Sequence, residues 1–284
     1  MTVGNRHTVA IQGEAGSFSH QAALDMVGED SALLPQPGFD AVFDAVSEGA
    51  AERGVVPIEN SLTGSIHENY DRLSERGLHI VGEMQLRVRH CLIGLPGVDL
   101  GEVRRAASHP VALAQCRRFF AQHPGIEAVA AYDTAGAVIE MVRAARRERA
   151  AVGSCLAATL HGGEVLLDGL EDDPQNFTRF LLVARDPGPT ERSTKTSIVF
   201  TLQNVPGGLF RALEVFARRN VDLAKIESRP LRGQPWEYAF YLDVLGDPQG
   251  AAGEAIAELK RGALELRVLG SYPEGLKKAG KPRL

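Results

Sequence analysis

Four short clusters of hydroxyl, amide and carboxyl side chains stand out in the chain. The first is Gly16-Ser17-Phe18-Ser19, and the second is Glu59-Asn60-Ser61 with Thr63-Gly64-Ser65. The third is Ser108-His109-Pro110 with Gln115, and the fourth runs from Asp172 to Phe180 with the order DDPQNFTRF. Together they offer hydroxyls, amides and an arginine, with few strong bases. That set suits holding a small anion and donating hydrogen bonds to a departing oxygen. Each cluster also has a plain structural reading. Ser17 and Ser19 read equally well as helix N-caps, and Glu59 as a solvated or capping carboxylate. His109 before a proline reads as structural. Asp172-Asp173-Pro174 makes a turn without any chemistry, and Thr178 is a β-branched residue entering a strand.

Other chemistries are bounded by what the chain lacks. The 284 residues carry a formal net charge of −5, which argues against a polyanionic partner such as a nucleic acid. Hydrophobic content is 44% and charged content 24%, as in ordinary globular proteins. No apolar run reaches the ~18 residues of a membrane span. The polar start and the short run Val9-Ala10-Ile11 do not read as a signal peptide, so a cytoplasmic location is expected. Cys91, Cys116 and Cys155 are odd in number, widely spaced and without a CxxC pair. That argues against a disulfide framework and against a zinc site. All six lysines lie at or after Lys195, which excludes a Schiff-base or Walker lysine from the first 194 residues.

The clusters need elements to position them. Thr8–Gln12 reads as a strand, Gly13 and Gly16 as a turn, and Ser17–Ala23 as a helix start, a common anion-binding arrangement. A helix around Phe39–Ser47 and a strand at Gly54–Ile58 follow, with Glu59-Asn60-Ser61 at that strand's carboxyl end. Strand and helix patterns alternate through 78–83, 89–94, 110–122, 135–147 and 150–153, predicting an α/β fold with largely parallel sheets. Loops after strands are where open α/β sheets bind ligands. After Val183 the segment DPGPTERS (186–193) is polar and rich in breakers. Beyond it the pattern restarts as strand 196–203, helix 207–220, strand 221–231, strand 236–245, helix 248–262 and strand 264–270. This βαββαβ order is ferredoxin-like. The basic tail 277–284 reads as frayed.

The wording and order of the motifs go further. The stretches GEAGSFSHQAA (13–23), VVPIENSLTGSI (55–66), SHPVALAQC (108–116), DTAGA (133–137), NFTRF (176–180), TSIVFTLQNVPGGLF (196–210), KIESRP (225–230) and PWEYAFYLDV (235–244) resemble the prephenate dehydratase family over nearly the whole chain. The resemblance implies a two-subdomain, periplasmic-binding-protein-like α/β catalytic portion at 1–185 with its site in a cleft. It also implies a linker at 186–194, a C-terminal ACT regulatory domain at 195–275 and a flexible tail at 276–284. The implied reaction converts prephenate to phenylpyruvate, water and carbon dioxide in phenylalanine biosynthesis, without metal or organic cofactor. Feedback by phenylalanine and assembly as a homodimer or homotetramer are implied with it.

By the same resemblance Thr178, Glu59, Asn60 and Gln115 form the catalytic set, with Thr178 as proton donor or its hydrogen-bonding equivalent. Glu59 either relays a proton or only orients. Ser17, Phe18, Ser61, Arg179 and Phe180 are the expected substrate contacts; Arg179 is the partner for a carboxylate or, alternatively, for Asp172 or Asp173. Asn204, Pro206, Gly207, Gly208 and Leu209, with Glu227, Ser228 and Arg229 from a neighbouring subunit, are the expected phenylalanine site. Two alternatives stay open: an arogenate dehydratase, because SLTGSIHENYDRL (61–73) is also similar to the plant arogenate branch, and a non-catalytic amino-acid sensor.

Overall fold

The computed structural model describes residues 7–231, 233, 235–275 and 277–278. In chain order the elements begin with β1 (Thr8–Gln12), α1 (Phe18–Val27), β2 (Ala32–Gln36), α2 (Phe39–Ser47), β3 (Arg53–Asn60), β4 (Gly64–Ser65), α3 (His67–Glu75) and β5 (His79–Arg87). Next come β6 (Cys91–Gly94), β7 (Arg105–Ser108), α4 (Pro110–Ala114), α5 (Arg117–Gln122), β8 (Glu127–Ala130), α6 (Thr134–Ala144), β9 (Arg149–Gly153), α7 (Cys155–His161), β10 (Glu164–Asp168) and β11 (Phe177–Ala184). The rest are β12 (Lys195–Thr201), α8 (Gly208–Ala217), β13 (Leu223–Pro230), β14 (Tyr238–Leu245), α9 (Ala251–Gly262), β15 (Glu265–Tyr272) and β16 (Lys277–Lys278).

Among the described residues these strands form three sheets. One runs β16–β5–β11–β3–β1–β2, with β4 added to β3. Its β1 pairs in parallel with both β2 and β3. Val9, Ala10 and Ile11 of β1 are fully buried, as expected for a parallel strand covered on both faces. The second sheet runs β10–β6–β9–β7–β8. It is mixed rather than largely parallel: β6 runs antiparallel to β10 and to β9, while β7 is parallel to β8 and β9. The helix expected over 110–122 is broken at Gln115-Cys116 into α4 and α5.

The third sheet is antiparallel, in the order β13–β14–β12–β15. With α8 and α9 it completes the expected βαββαβ unit. Ile198, Phe200, Phe216, Leu242, Val244 and Leu259 meet in its core.

The chain divides into two compact units, and their boundary does not follow the linear order. Residues 7–69 and 84–180 make one; Tyr70–Glu83 joins Leu181–Gly275 in the other. In the second unit Tyr70 packs on Tyr241 with ring centroids 4.8 Å apart. Arg229 pairs with Asp71 at 2.9 Å, and Arg267 donates to the carbonyls of Ser74 and Leu78. The buried Lys195 ammonium sits 2.6 Å from Glu83 Oε1. Of the basic tail, Lys277–Lys278 pair in parallel with β5, and the remainder lies outside the described residues.

One cysteine expectation is corrected. Cys91 at the head of β6 and Cys155 at the head of α7 form a disulfide across 64 residues. Neither count nor spacing signals it, because the sheet brings the two positions together. Cys116 is free and buried, and burial pushes its thiol up to about 12.

Candidate active site

The first unit holds a cavity of about 390 Å³. Its wall starts at the turn after β1. Gly16 has φ +90°, and a Cβ there would lie 2.7 Å from the Ala157 Cα, so both conformation and space require glycine. Ser154 Oγ donates to the Gly16 carbonyl and holds this turn. Ser17 then caps α1 by accepting from the His20 amide at 3.2 Å, so its structural reading holds. Ser17, Phe18 and Ser19 nonetheless line the cavity. Asp133 caps α6 by accepting from the Gly136 amide and lines it too, with Thr134. The amino-terminal end of α1, capped by the neutral Ser17 hydroxyl, borders this space and favours negative charge there, whereas that of α6 is already answered by the Asp133 carboxylate. No lysine or arginine is among the lining residues.

The opposite wall is a connected set of amides. Asn60 ends β3, Thr178 sits on the neighbouring β11, and both are buried. Asn60 Nδ2 donates to Thr178 Oγ1 at 3.0 Å, to the Phe177 carbonyl at 3.1 Å and to Asn176 Oδ1 at 2.8 Å. Asn176 Nδ2 donates to Gln115 Oε1 at 2.9 Å. His90 Nε2 lies 2.9 Å from the same oxygen. Gln115 is placed by the break between α4 and α5, and its carbonyl accepts from the Asp172 amide at 2.7 Å. Asp172 in turn caps α5 through the amides of Arg117 and Arg118. The loop before Thr178 is therefore fastened to the helix pair that carries Gln115.

This geometry has a chemical consequence. An amide nitrogen cannot accept a hydrogen bond, so Thr178 is the acceptor from Asn60. Its own hydrogen is left to donate elsewhere, and Thr178 lines the cavity. Burial holds the His90 imidazole below its ordinary value, against smaller opposing effects from Gln115 and Glu171.

The expected site residues divide into two groups. Ser17, Phe18, Asn60, Gln115, Thr178 and Phe180 line the cavity. Glu59, Ser61 and Arg179 do not. Successive residues of a strand face opposite ways, so Glu59 and Arg179 turn from the face that carries Asn60 and Thr178. Ser61 is spent on fastening β3: its hydroxyl donates to the Gln175 carbonyl at 2.6 Å and accepts from the Phe177 amide at 2.9 Å. Sequence reading passed over His90 and Asp133, which both line the cavity. The available signal for His90 is its place beside Arg89 at the entrance of the apolar run CLIG.

In the second unit a smaller hollow of about 220 Å³ is lined by Asn204, Gly207, Gly208 and Leu209, together with Glu237 and Tyr238. Gly207, at φ +75°, precedes the first residue of α8. Pro206 does not line the hollow, though its carbonyl accepts from Arg211. Glu227, Ser228 and Arg229 lie on β13 outside the lining, with Arg229 committed to Asp71.

Comparison with known proteins gives matches over almost the whole length. Residues 9–188 match the family described as prephenate dehydratase, and residues 196–256 match the ACT domain. The chain is 44% identical over 282 residues to arogenate dehydratase/prephenate dehydratase 2, chloroplastic, of Arabidopsis thaliana, covering 95% of this chain and 74% of that one. Among solved structures it is similar to prephenate dehydratase in complex with L-Phe from Arthrobacter aurescens, with 30% identity, TM-score 0.84 and coverage of 96% and 92%. It is also similar to GqqA, described as a novel type of quorum quenching acylase, with 36% identity, TM-score 0.87 and coverage of 95% and 98%.

Proposed function

The chain belongs to the prephenate dehydratase family, and we propose that it catalyses the decarboxylating dehydration of prephenate to phenylpyruvate in phenylalanine biosynthesis. The observation that carries the reading is the Thr178 hydroxyl, which accepts from Asn60 and so keeps its hydrogen for the cavity. In this reaction the C–C bond to the ring carboxylate breaks and releases carbon dioxide. Its electron pair enters the ring, the C–O bond to the para hydroxyl breaks, and the ring becomes aromatic. The departing hydroxide needs one proton to leave as water. A hydroxyl aimed at that oxygen stabilises its developing charge and relays a proton. A substrate carboxylate faces the amino-terminal end of α1, which supplies positive potential without a lysine or arginine.

Arogenate carries an amino group where prephenate has a keto group, and the Arabidopsis relative is named for both activities. Turnover of each purified substrate decides between them; a much higher rate on arogenate overturns the prephenate assignment. Thr178→Val removes the donor at nearly constant volume and is expected to lower kcat by about 10²–10³-fold. Unchanged turnover in that variant removes Thr178 from the mechanism. The likeness to GqqA supports a second reading, an acylase. Release of a free amine from an N-acylated substrate, with no turnover of prephenate or arogenate, would favour it.

Feedback by phenylalanine belongs to the same proposal. The hollow at Asn204, Gly207 and Gly208 opens at the head of α8, where backbone amides suit a carboxylate. A homodimer or homotetramer, with Glu227, Ser228 and Arg229 reaching a neighbouring subunit's hollow, and a cytoplasmic location complete the reading. Phe210 and Trp236 support assembly: they are 71% and 78% exposed, large apolar surfaces suited to contact with another copy.

A further inference from the structure

The amide wall of the cavity has a direction, and that direction assigns the protonation of His90. Asn60 Oδ1 accepts from the backbone amides of Leu62 and Thr63, each at 3.0 Å. Backbone amides only donate, so the orientation of the Asn60 carboxamide is settled at this end. Its Nδ2 then faces Asn176, whose Oδ1 must accept and whose Nδ2 must donate. The atom receiving that bond is therefore Gln115 Oε1. The His90 nitrogen 2.9 Å from that oxygen must carry a hydrogen. His90 is thus protonated at Nε2. Its Nδ1 is buried and has no hydrogen-bond partner among the described residues.

The ring is held from several sides. The His90 amide donates to Glu171 Oε2 at 3.0 Å, and Glu171 Oε1 receives Arg87 at 3.2 Å. The His90 carbonyl accepts from the amides of Gly169 and Leu170. Phe18 meets the imidazole edge-on, with centroids 5.4 Å apart. The nearby charged and titratable groups are Glu171 with Arg87, the Arg89–Asp168 pair at the strand entrance, and His109 and Asp133 among the cavity-lining residues.

We propose that His90 is a positioning residue of this site: as the neutral Nε2–H tautomer it donates to Gln115 Oε1 and, with Asn176, fixes that carboxamide so that its NH₂ group is presented to the substrate. Two donors on one oxygen prevent the carboxamide from inverting. The cavity then meets the substrate with two donors of fixed sense, the Gln115 amide and the Thr178 hydroxyl. The proposal rests on the dehydratase reading for its effect on turnover, but the tautomer assignment does not.

The test uses the full chain with ¹⁵N-labelled histidine. Nitrogen shifts of His90, identified by their loss in His90→Gln, are expected to show the neutral Nε2–H form at pH 7. An Nδ1–H tautomer or an imidazolium at that pH overturns the proposal. In kinetics, His90→Leu is expected to lower kcat about 10–100-fold, with a smaller change in KM, as for loss of a partner that orients a contacting group. His90→Gln places an N–H at similar reach and is expected to recover most of that loss. Equal impairment of both variants, or of neither, overturns the positioning role. If His90→Leu does not fold, the tautomer and His90→Gln still decide. The expected tautomer in a protein that turns over neither dehydratase substrate refutes the dehydratase reading and leaves the hydrogen-bond assignment standing.

Discussion

Asn60→Asp is nearly isosteric and reverses one end of the amide wall. The acceptor oxygen that holds the amides of Leu62 and Thr63 is retained. The donor nitrogen becomes a second oxygen, facing Asn176 Oδ1 at 2.8 Å, Thr178 Oγ1 at 3.0 Å and the Phe177 carbonyl at 3.1 Å. The Thr178 hydroxyl then turns to donate to the new carboxylate and is lost to the cavity. Loss of one such donor costs about 2.7–4 kcal/mol of transition-state stabilisation, roughly 10²–10³ in kcat. The carbonyl and amide oxygens left facing an oxygen cost about 1–3 kcal/mol of stability, less than a small domain's total. The fold is therefore expected to survive with a lower Tm while activity collapses. Apposed oxygens and burial favour the protonated acid, which regains one donor, so residual activity is expected to rise as pH falls. The assay is phenylpyruvate formation from prephenate across pH, beside Tm. A variant with near wild-type kcat at pH 8 would refute the view that Asn60 leaves Thr178 its donor hydrogen.

Glu83→Ala leaves the Lys195 ammonium, whose side chain is 4% exposed, with the half-exposed Glu274 carboxylate at 3.7 Å in place of its partner at 2.6 Å, and removes the oxygen that accepts from the Gly275 amide. Breaking a buried pair from one side costs about 3–5 kcal/mol, read by denaturant unfolding; a loss below about 1 kcal/mol would show the pair to be solvated. Burial lowers both His90 and His20 from the ordinary 6.5, with His161 adding to the effect at His20. The unfolded chain therefore takes up these protons first. Their contribution to stability is present above pH 6.5 and is lost as pH drops below 6.5 towards the depressed folded values. Tm is expected to decline over that window, less steeply in His90→Gln; a flat Tm would contradict the burial.

Local pattern reached a good part of this molecule. Short continuous apolar runs marked β1 and β3, which are buried on both faces, while a period-3.6 apolar stripe marked α2 and strand–helix alternation beyond the linker marked the βαββαβ unit. The turn at Gly13–Gly16 was legible because its glycines precede a hydroxyl at a helix start. Asn60, Gln115 and Thr178 came from motif wording, not from spacing. What stayed hidden depends on separations that no local period records. Tyr70–Glu83 belongs with the C-terminal unit through contacts such as Arg229–Asp71, 158 residues apart, and Arg267–Ser74, 193 residues apart. A boundary drawn at residue 185 would leave Tyr70, Leu73, Leu78 and Ile80 without the unit they are buried in. The Cys91–Cys155 disulfide and the reach of His90 to Gln115 are of the same kind.

The case of Glu59 and Arg179 differs, since the signal was present in the residues themselves. Both are immediate neighbours, on strands, of residues assigned to the same pocket: Glu59 beside Asn60, and Arg179 beside Thr178. A strand cannot turn two consecutive side chains to one face. Choosing Asn60 and Thr178 therefore already placed Glu59 and Arg179 on the opposite side. Charge made those two attractive for an anionic substrate. Backbone geometry turns both from the face that carries Asn60 and Thr178, and the end of α1 supplies positive potential at this cavity instead.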